Sequence, residues 1–300
     1  MANIAEIGIN HADRARSARG DEMEITLGLF IGVAIIALLV EYMDASIGMG
    51  YGTTLTPLLL IIGFAPLAVV PAVLLGQLAG GAIGGYFHHR LGNISLSFRS
   101  DSQLSEERKH GLGYLLWSLD TKVIVALAIC GMIATVIGVT AAINIPEIAL
   151  RLYIGTMVLV IGIMVVVRRN HSSPFSWRRL VGIGLLSALN KGISGGGYGP
   201  LVTGGQILSG REVRNSIAST TVAEVAVCVV GFLTYVLFLR GDIYWALAAS
   251  TAVGSVMAGP LAALTVKKME TKRLKLAVGL VITILGAVML VRVFISSWLW

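Results

Sequence analysis

The sequence predicts an all-α polytopic membrane protein built from two inverted repeats, each a broken, re-entrant helix hairpin followed by three transmembrane helices. Of the 300 residues, 56% are hydrophobic and only 13% are charged, and the mean hydropathy is +0.84. This apolar content exceeds that of ordinary soluble domains. The apolar runs are continuous rather than alternating, which indicates helices and not a β-barrel. Two glycine-rich stretches, residues 44–53 and 191–200, interrupt short apolar segments in the two halves.

The distribution of charge and of reactive residues fits a membrane location. The formal net charge is +7, but the basic residues fall in short loops between apolar runs, which is the pattern of membrane topology rather than of nucleic-acid binding. Residues 1–24 form a polar N-terminal segment without the apolar core of a signal peptide. We therefore expect a multi-pass protein of a bacterial or archaeal plasma membrane.

The cysteines and histidines indicate no redox or metal chemistry. Cys130 and Cys228 lie inside apolar runs, where a thiol usually serves as a small packing residue, and we assign them no disulfide. The five histidines show no spacing typical of metal ligands. We expect neither a metal nor a cofactor.

The first repeat is predicted over residues 25–170. It begins with the apolar run Ile25 to Val40, followed by four residues that include Glu41 and Asp44 and then by the first glycine loop. The next segment, Thr53 to Gly63, is about eleven residues long and at ~1.5 Å per residue reaches only about half of a bilayer, so we expect a re-entrant half-helix. Spanning helices are predicted at residues 65–87, 122–143 and 148–167, with a polar loop over residues 91–121.

The second repeat is predicted over residues 171–300, within the same single transmembrane domain. Its segments Leu180 to Asn190 and Pro200 to Leu208 are again too short to span, and they flank the second glycine loop. Spanning helices are predicted at residues 213–239, 243–266 and 274–294.

The two halves of the chain resemble each other at fixed offsets. A shift of 147 residues places Gly50-Tyr51-Gly52 on Gly197-Tyr198-Gly199 and Gln77 on Glu224, and after the polar loop the offset falls to 124. Each half crosses the membrane three times, because its re-entrant segment enters and leaves on the same side. After an odd number of crossings the chain is on the opposite side of the membrane, so the second half must be inverted relative to the first. Placing the basic loops in the cytoplasm satisfies every crossing and leaves both termini outside. Inverted repeats with interrupted helices at matching positions point to a secondary transporter with its site at the repeat interface.

The chain also resembles the sulfite exporter TauE/SafE family of membrane proteins. The resemblance covers most of residues 25–296 and rests on the two glycine-rich loops, the helix start over residues 210–220, and the closing basic loop with its apolar helix. It implies ion-coupled transport of small sulfur-containing anions such as sulfite, organosulfonates or thiosulfate. The first loop departs from the glycine run usual in the family, since it reads Ile47-Gly48-Met49-Gly50.

The residues around the glycine loops form the predicted anion site. Helix N-termini expose unpaired N–H groups and carry partial positive charge, so they bind anions, and Lys191 would add a full charge. The expected substrate-binding residues are Lys191, Ser194, Gly195, Gly196, Gly197, Tyr198, Tyr51, Thr53, Thr54, Asn190 and Thr203.

Four polar residues are the candidates for ion coupling: Glu224, Asp44, Glu41 and Gln77. Glu224 lies in the middle of a predicted span, where it could instead pack against Thr220 or Thr221. Lys191 and Asp44 occupy equivalent positions in the two repeats. They could pair with each other, or Lys191 could hold the anion while Asp44 handles a proton.

Other functional classes remain as alternatives at this point. The Gly-Tyr-Gly tripeptides, with Asp44 and Glu224, could serve a cation channel or cation transporter, although a channel filter of this type needs a fourfold ring. No nucleophile–base pair typical of a membrane enzyme is visible, so no enzymatic activity is expected. Arg211 and Arg214 are interpreted as cytoplasmic anchors. The expected partners are a small anionic solute and the lipid bilayer, with no nucleic acid, and the glycines of residues 65–87 leave a homodimer open.

Overall fold

The computed structural model describes residues 25–94, 96, 118–167, 176–208, 211–240, 242–266, 280, 283–291 and 293–295. The elements in these ranges are α-helices: α1 (Leu27–Ile47), α2 (Tyr51–Ile62), α3 (Pro66–Arg90), α4 (Leu119–Asn144), α5 (Glu147–Val167), α6 (Trp177–Ser194), α7 (Tyr198–Leu208), α8 (Val213–Phe238) and α9 (Trp245–Val266), followed by an apolar helical segment, Thr283–Ile295. The polar N-terminal segment, most of the polar loop and the basic loop before the last predicted helix lie outside the described residues.

Six of the described helices are long and apolar enough to cross a membrane: α1, α3, α4, α5, α8 and α9. Five of these, α3, α4, α5, α8 and α9, confirm predicted spans. Helix α1 was expected to end its apolar run at Val40, but it continues to Ile47, because Glu41 and Asp44 are buried against other helices instead of lying at a membrane surface. The predicted span 274–294 falls within the described residues only in part.

The two short helices are present, although the segments before them are longer than predicted. Helices α2 and α7 have 12 and 11 residues, and neither is long enough to cross a bilayer. The segment predicted as Leu180 to Asn190 is wrong in length, since α6 has 18 residues and continues to Ser194.

Each glycine loop is only three residues long, because the preceding helix ends later than predicted. Gly48 and Gly195 adopt left-handed backbone angles, with φ of 76° and 72°, and their amides donate to the Asp44 and Lys191 carbonyls at 2.6 Å and 2.8 Å. This is the usual C-terminal glycine cap of a helix. Asp44 and Lys191 therefore lie in the last helical turns and not in loops, and the loops are residues 48–50 and 195–197.

The helices pack in a regular set of pairs. The main contacts join α1 to α9, α3 to α9, α4 to α6, α4 to α8, and α3 to α8. The outward sides of the spanning helices carry exposed aliphatic side chains, such as Ile31, Ile35 and Leu39 on α1. Aliphatic side chains on the outside of a helical bundle are typical of contact with lipid.

Each glycine loop is in direct backbone contact with the first turn of the half-helix from the other half of the chain, and we call this pair of contacts the loop crossing. A methyl group on Gly52 would lie 1.8 Å from the carbonyl oxygen of Gly195, and a methyl group on Gly199 would lie 2.8 Å from the carbonyl oxygen of Gly48. The Thr203 hydroxyl donates to the same Gly48 carbonyl at 2.7 Å. The crossing therefore requires glycine, because any side chain at these positions would meet another backbone.

We expect the substitution Gly52→Ala to destabilise the protein strongly. The added methyl group meets a backbone carbonyl that cannot rotate away, so the loss in free energy of unfolding should reach or exceed the upper end of the about 1–3 kcal/mol typical of overpacking. Thermal unfolding of the detergent-solubilised protein measures the loss. The matched control is Gly204→Ala in α7, where a methyl group meets nothing within 4 Å. Equal stability of the two variants would contradict the backbone crossing.

Candidate functional site

A network of buried polar side chains lies next to the loop crossing. The Lys191 ammonium group on α6 contacts Glu224 Oε1 on α8 at 2.9 Å and also donates to Gln77 Oε1 on α3. Gln77 Nε2 in turn donates to Asp44 Oδ2 on α1 at 3.0 Å. These four side chains are at most 4% exposed, so one polar chain joins both predicted repeats through the interior.

Asp44 also binds the start of the half-helix α2. Its Oδ1 accepts a hydrogen bond from the Tyr51 amide at 3.0 Å, so a carboxylate of the protein lies at the positive end of α2. The Asp44 carboxylate therefore occupies one of the N–H groups that the sequence analysis assigned to a solute. Lys191 occupies the equivalent place in the other half, and its ammonium group cannot accept a hydrogen bond from a backbone amide. The two half-helices consequently begin in different electrostatic environments.

The network contains more carboxyl groups than cations. The charges of Glu41, Asp44, Glu224 and Lys191 act on one another, which places three carboxyl groups around one ammonium group. Removing ions from water is costly, and the cost is offset only when each charge has a close partner. Lys191 supplies that partner for Glu224 directly and for Asp44 through Gln77.

These contacts show the direct partners of Lys191 and Glu224. Lys191 and Asp44 do not form a direct pair, because Gln77 lies between them. Glu224 contacts a neighbouring helix through Lys191, whereas the Thr220 hydroxyl donates to the Ser216 carbonyl and the Thr221 hydroxyl to the Ile217 carbonyl.

Several predicted substrate-binding residues make hydrogen bonds within the protein. Ser194 Oγ accepts from the Gly196 amide at 3.1 Å and donates to the Asn190 carbonyl at 2.7 Å. The Asn190 side chain accepts from the Tyr153 hydroxyl, and Thr53 Oγ1 donates to the Gly50 carbonyl at 3.3 Å. These residues shape the loops and hold them against α5.

The remaining predicted residues divide between the crossing and the interior. Gly195, Gly196 and Gly197 form the second loop, which contacts residues of α2, α3, α5 and α6. Thr54 and Tyr198 are buried, and within the described part of the chain their hydroxyl groups have no hydrogen-bond partner. The Tyr198 hydroxyl lies within electrostatic range of Glu224.

Sequence reasoning missed a second buried ion pair. Arg211 was interpreted as a surface anchor, yet its guanidinium group contacts Asp120 at the start of α4 and Gln206 near the end of α7, and the Arg211 and Asp120 side chains are only 6% and 8% exposed. Burial lowers the pKa of Arg211, and the Asp120 carboxylate opposes this shift. The sequence offered one signal for this ion pair, a basic residue three positions after a half-helix. It could not identify Asp120 as the partner, because only the folded chain brings the two residues together.

A bundle of six membrane-length helices with two half-helices and a buried charge network defines a multi-pass helical membrane protein. The family model described as "Sulfite exporter TauE/SafE" matches residues 112–289, more than half of the chain. The chain belongs to this family of membrane transporters, as its resemblance predicted. It is also 26% identical over 279 residues to the "Probable membrane transporter protein YtnM" of Bacillus subtilis (strain 168), an alignment that covers 89% of this chain and 83% of the relative. No solved structure matches the chain significantly.

We expect Lys191→Met to cost about 3–5 kcal/mol of stability, because it leaves the Glu224 carboxylate buried without its cation. The double variant Lys191→Met with Glu224→Gln removes both charges and should recover a large part of that loss. Thermal unfolding of the three proteins in detergent gives the comparison. If the double variant is no more stable than Lys191→Met alone, the ion pair does not hold these two helices as described.

Proposed function

We propose that the protein is a proton-coupled secondary transporter of small sulfur-containing anions such as sulfite, an organosulfonate or thiosulfate. The observation that carries this proposal is the buried Lys191 ammonium group, which ends a helix beside the loop crossing and is held by the carboxylate of Glu224. A cation at this depth is costly unless it has an anionic partner. A transported anion can take the place of that partner.

The family supports the chemical class of the solute. Its description names sulfite export, and the name of the B. subtilis relative describes a membrane transporter. Sulfite, sulfonates and thiosulfate share several oxygen atoms around one sulfur, which suit an ammonium group together with hydroxyl donors. The hydroxyl groups of Tyr198 and Thr54, buried near the crossing, are our proposed donors. The other predicted substrate-binding residues support the site by shaping the loops.

Competition for Lys191 supplies a coupling mechanism. When an anion binds the ammonium group, Glu224 loses its cationic partner inside a dry interior. A buried carboxyl group without a cation is stable only when it takes up a proton. Anion binding and proton binding therefore favour each other, and each raises the affinity of the protein for the other. Gln77 and Asp44 would adjust this exchange by holding Lys191 from the opposite side.

The helix pairs support an inverted arrangement of the repeats. In this arrangement α1 corresponds to α6, α3 to α8 and α4 to α9. The contact of α1 with α9 then has its equivalent in the contact of α6 with α4. The contact of α3 with α9 has its equivalent in the contact of α8 with α4. The loop contacts exchange in the same way, since Gly52 meets Gly195 while Gly199 meets Gly48. Such reciprocity is typical of a pseudo-twofold axis. We propose alternating access by motion of one repeat against the other, with both termini outside.

Cation transport is a second candidate, favoured by the excess of carboxyl groups around Lys191. The glycine carbonyls give it little support. The Gly48 carbonyl accepts from Thr203, and the Gly195 carbonyl faces Gly52, whereas a filter presents its carbonyls to the ion.

Uptake into proteoliposomes tests the proposal. We expect sulfite, sulfonate or thiosulfate to be transported faster when a pH gradient is imposed, with sulfate as the comparison anion. The double variant Lys191→Met with Glu224→Gln should fold yet show an apparent KM raised at least about 10-fold, since a charge-assisted bond contributes about 1.5–3 kcal/mol. Transport of cations without anions would overturn the assignment.

The variant Glu224→Gln separates coupling from binding. It retains a side chain of the same size that can still contact Lys191 but cannot exchange a proton. We expect anion uptake to persist while its dependence on the pH gradient falls, as measured by uptake at several external pH values. Glu147→Gln, which changes an exposed carboxylate on α5, is the matched control. Unaltered pH dependence in Glu224→Gln would exclude this residue from the coupling step.

A further inference from the structure

We propose that Glu41 is a second proton-binding site of the transport cycle, separate from the Lys191–Glu224 pair. This inference rests on the proposed proton-coupled transport and identifies where an additional proton is held. Its evidence is the surroundings of the Glu41 carboxyl group on α1, which differ from those of every other member of the buried network.

The Glu41 carboxyl group occupies a space made for it by a glycine. The side chain is buried between α1, α3 and α9, with 1% exposure. A methyl group on Gly80 of α3 would lie 2.8 Å from Glu41 Oε1 and 2.8 Å from the Cβ of Ser255 on α9. Any larger residue at position 80 would push the carboxyl group out of this space.

No cation is available to neutralise Glu41 in the described part of the chain. Its Oε2 atom is buried there without a hydrogen-bond partner, and the nearby Lys191 ammonium group is already bound by Glu224 and Gln77. Asp44, one helical turn further along α1, adds a carboxyl group of the same sign. An ionised carboxylate in this position would be strongly destabilising, so the group is held as the neutral acid.

A pair of hydroxyl groups lies beside this acid. Ser255 Oγ donates to the Tyr51 hydroxyl at 2.8 Å, and the Tyr51 hydroxyl is within electrostatic range of Glu41. Gly76 leaves room for that hydroxyl, because a methyl group there would lie 2.2 Å from it. Hydroxyl groups both donate and accept hydrogen bonds, so this pair offers polar neighbours to the neutral acid without supplying a charge.

The other half of the chain provides an internal comparison. The residues 147 positions after Glu41 and Gly80 are Ala188 and Val227. Both pack at Gly131 of α4, where a methyl group would lie 3.6 Å and 2.6 Å from them. The same place in the second half holds these two aliphatic side chains and the Tyr198 hydroxyl, 3.7 Å from that methyl position, without an acid. Packing alone does not require a carboxyl group here, and its presence in one half only indicates a functional use.

Infrared spectroscopy of the purified wild-type protein tests this inference without requiring transport. We expect a carbonyl-stretch band of a protonated carboxylic acid at neutral pH, and we expect Glu41→Gln to remove it while retaining the fold, since glutamine resembles the neutral acid in shape. Glu147→Gln should leave the band unchanged, because Glu147 is exposed and paired with Arg151. A spectrum that Glu41→Gln does not alter would overturn the proposal.

The proton-to-anion ratio in proteoliposomes then tests the role of this proton in the cycle. In Glu41→Gln we expect the ratio to fall by one proton per anion, whereas an unchanged ratio would overturn a coupling role. Stabilisation of the wild-type protein by sodium ions that Glu41→Gln abolishes would also overturn it, by assigning the site to a metal cation. Wild-type protein that transports no anion would contradict the proposed function alone, because the infrared band still reports the proton on Glu41.

Discussion

The contact of Lys191 with Glu224 is the interaction on which the rest of the interior depends. It places an ammonium group and a carboxylate at 2.9 Å inside a helical bundle, where neither charge would be stable alone. Gln77 extends the contact to Asp44, and Asp44 binds the amide that opens α2. The Lys191–Glu224 pair is thus linked by hydrogen bonds to the start of α2, and for this reason we place the proposed coupling at this pair.

The glycine loops provide a second contact between the two halves of the chain, made by backbone packing instead of by charge. Because Gly52 and Gly199 have no side chains, the backbone of each loop touches the first turn of the half-helix from the other half of the chain. A displacement of either loop would therefore press on the half-helix of the other half, since protein interiors are closely packed. In the second loop, Ser194 holds the turn through the Gly196 amide, and Tyr153 holds Asn190, so the loop nearest Lys191 is anchored to two helices.

Much of the fold could be predicted because apolar length and glycine position are local properties. Continuous apolar runs identified five of the described spanning helices, and the short runs identified α2 and α7. The helix ends were missed, because Asp44 and Lys191 look like loop residues until a neighbouring helix neutralises them. The ion pair of Arg211 was missed for a similar reason. Its partner Asp120 is 91 positions away in the chain, and no local sequence pattern indicates so distant a contact.

The sequence by itself determined the membrane class, the family and the residue types available for chemistry: one lysine and three acids beside glycine loops. Only the tertiary structure decided how these residues are paired. In the folded chain Lys191 forms an ion pair with Glu224, and Asp44 accepts a hydrogen bond from the start of α2. The Glu41 carboxyl group lies in the space beside a glycine, and one of its oxygen atoms has no hydrogen-bond partner in the described chain. The physical reason is that the energy of a buried charge is set by the atoms within a few ångströms of it, and here those atoms come from different helices.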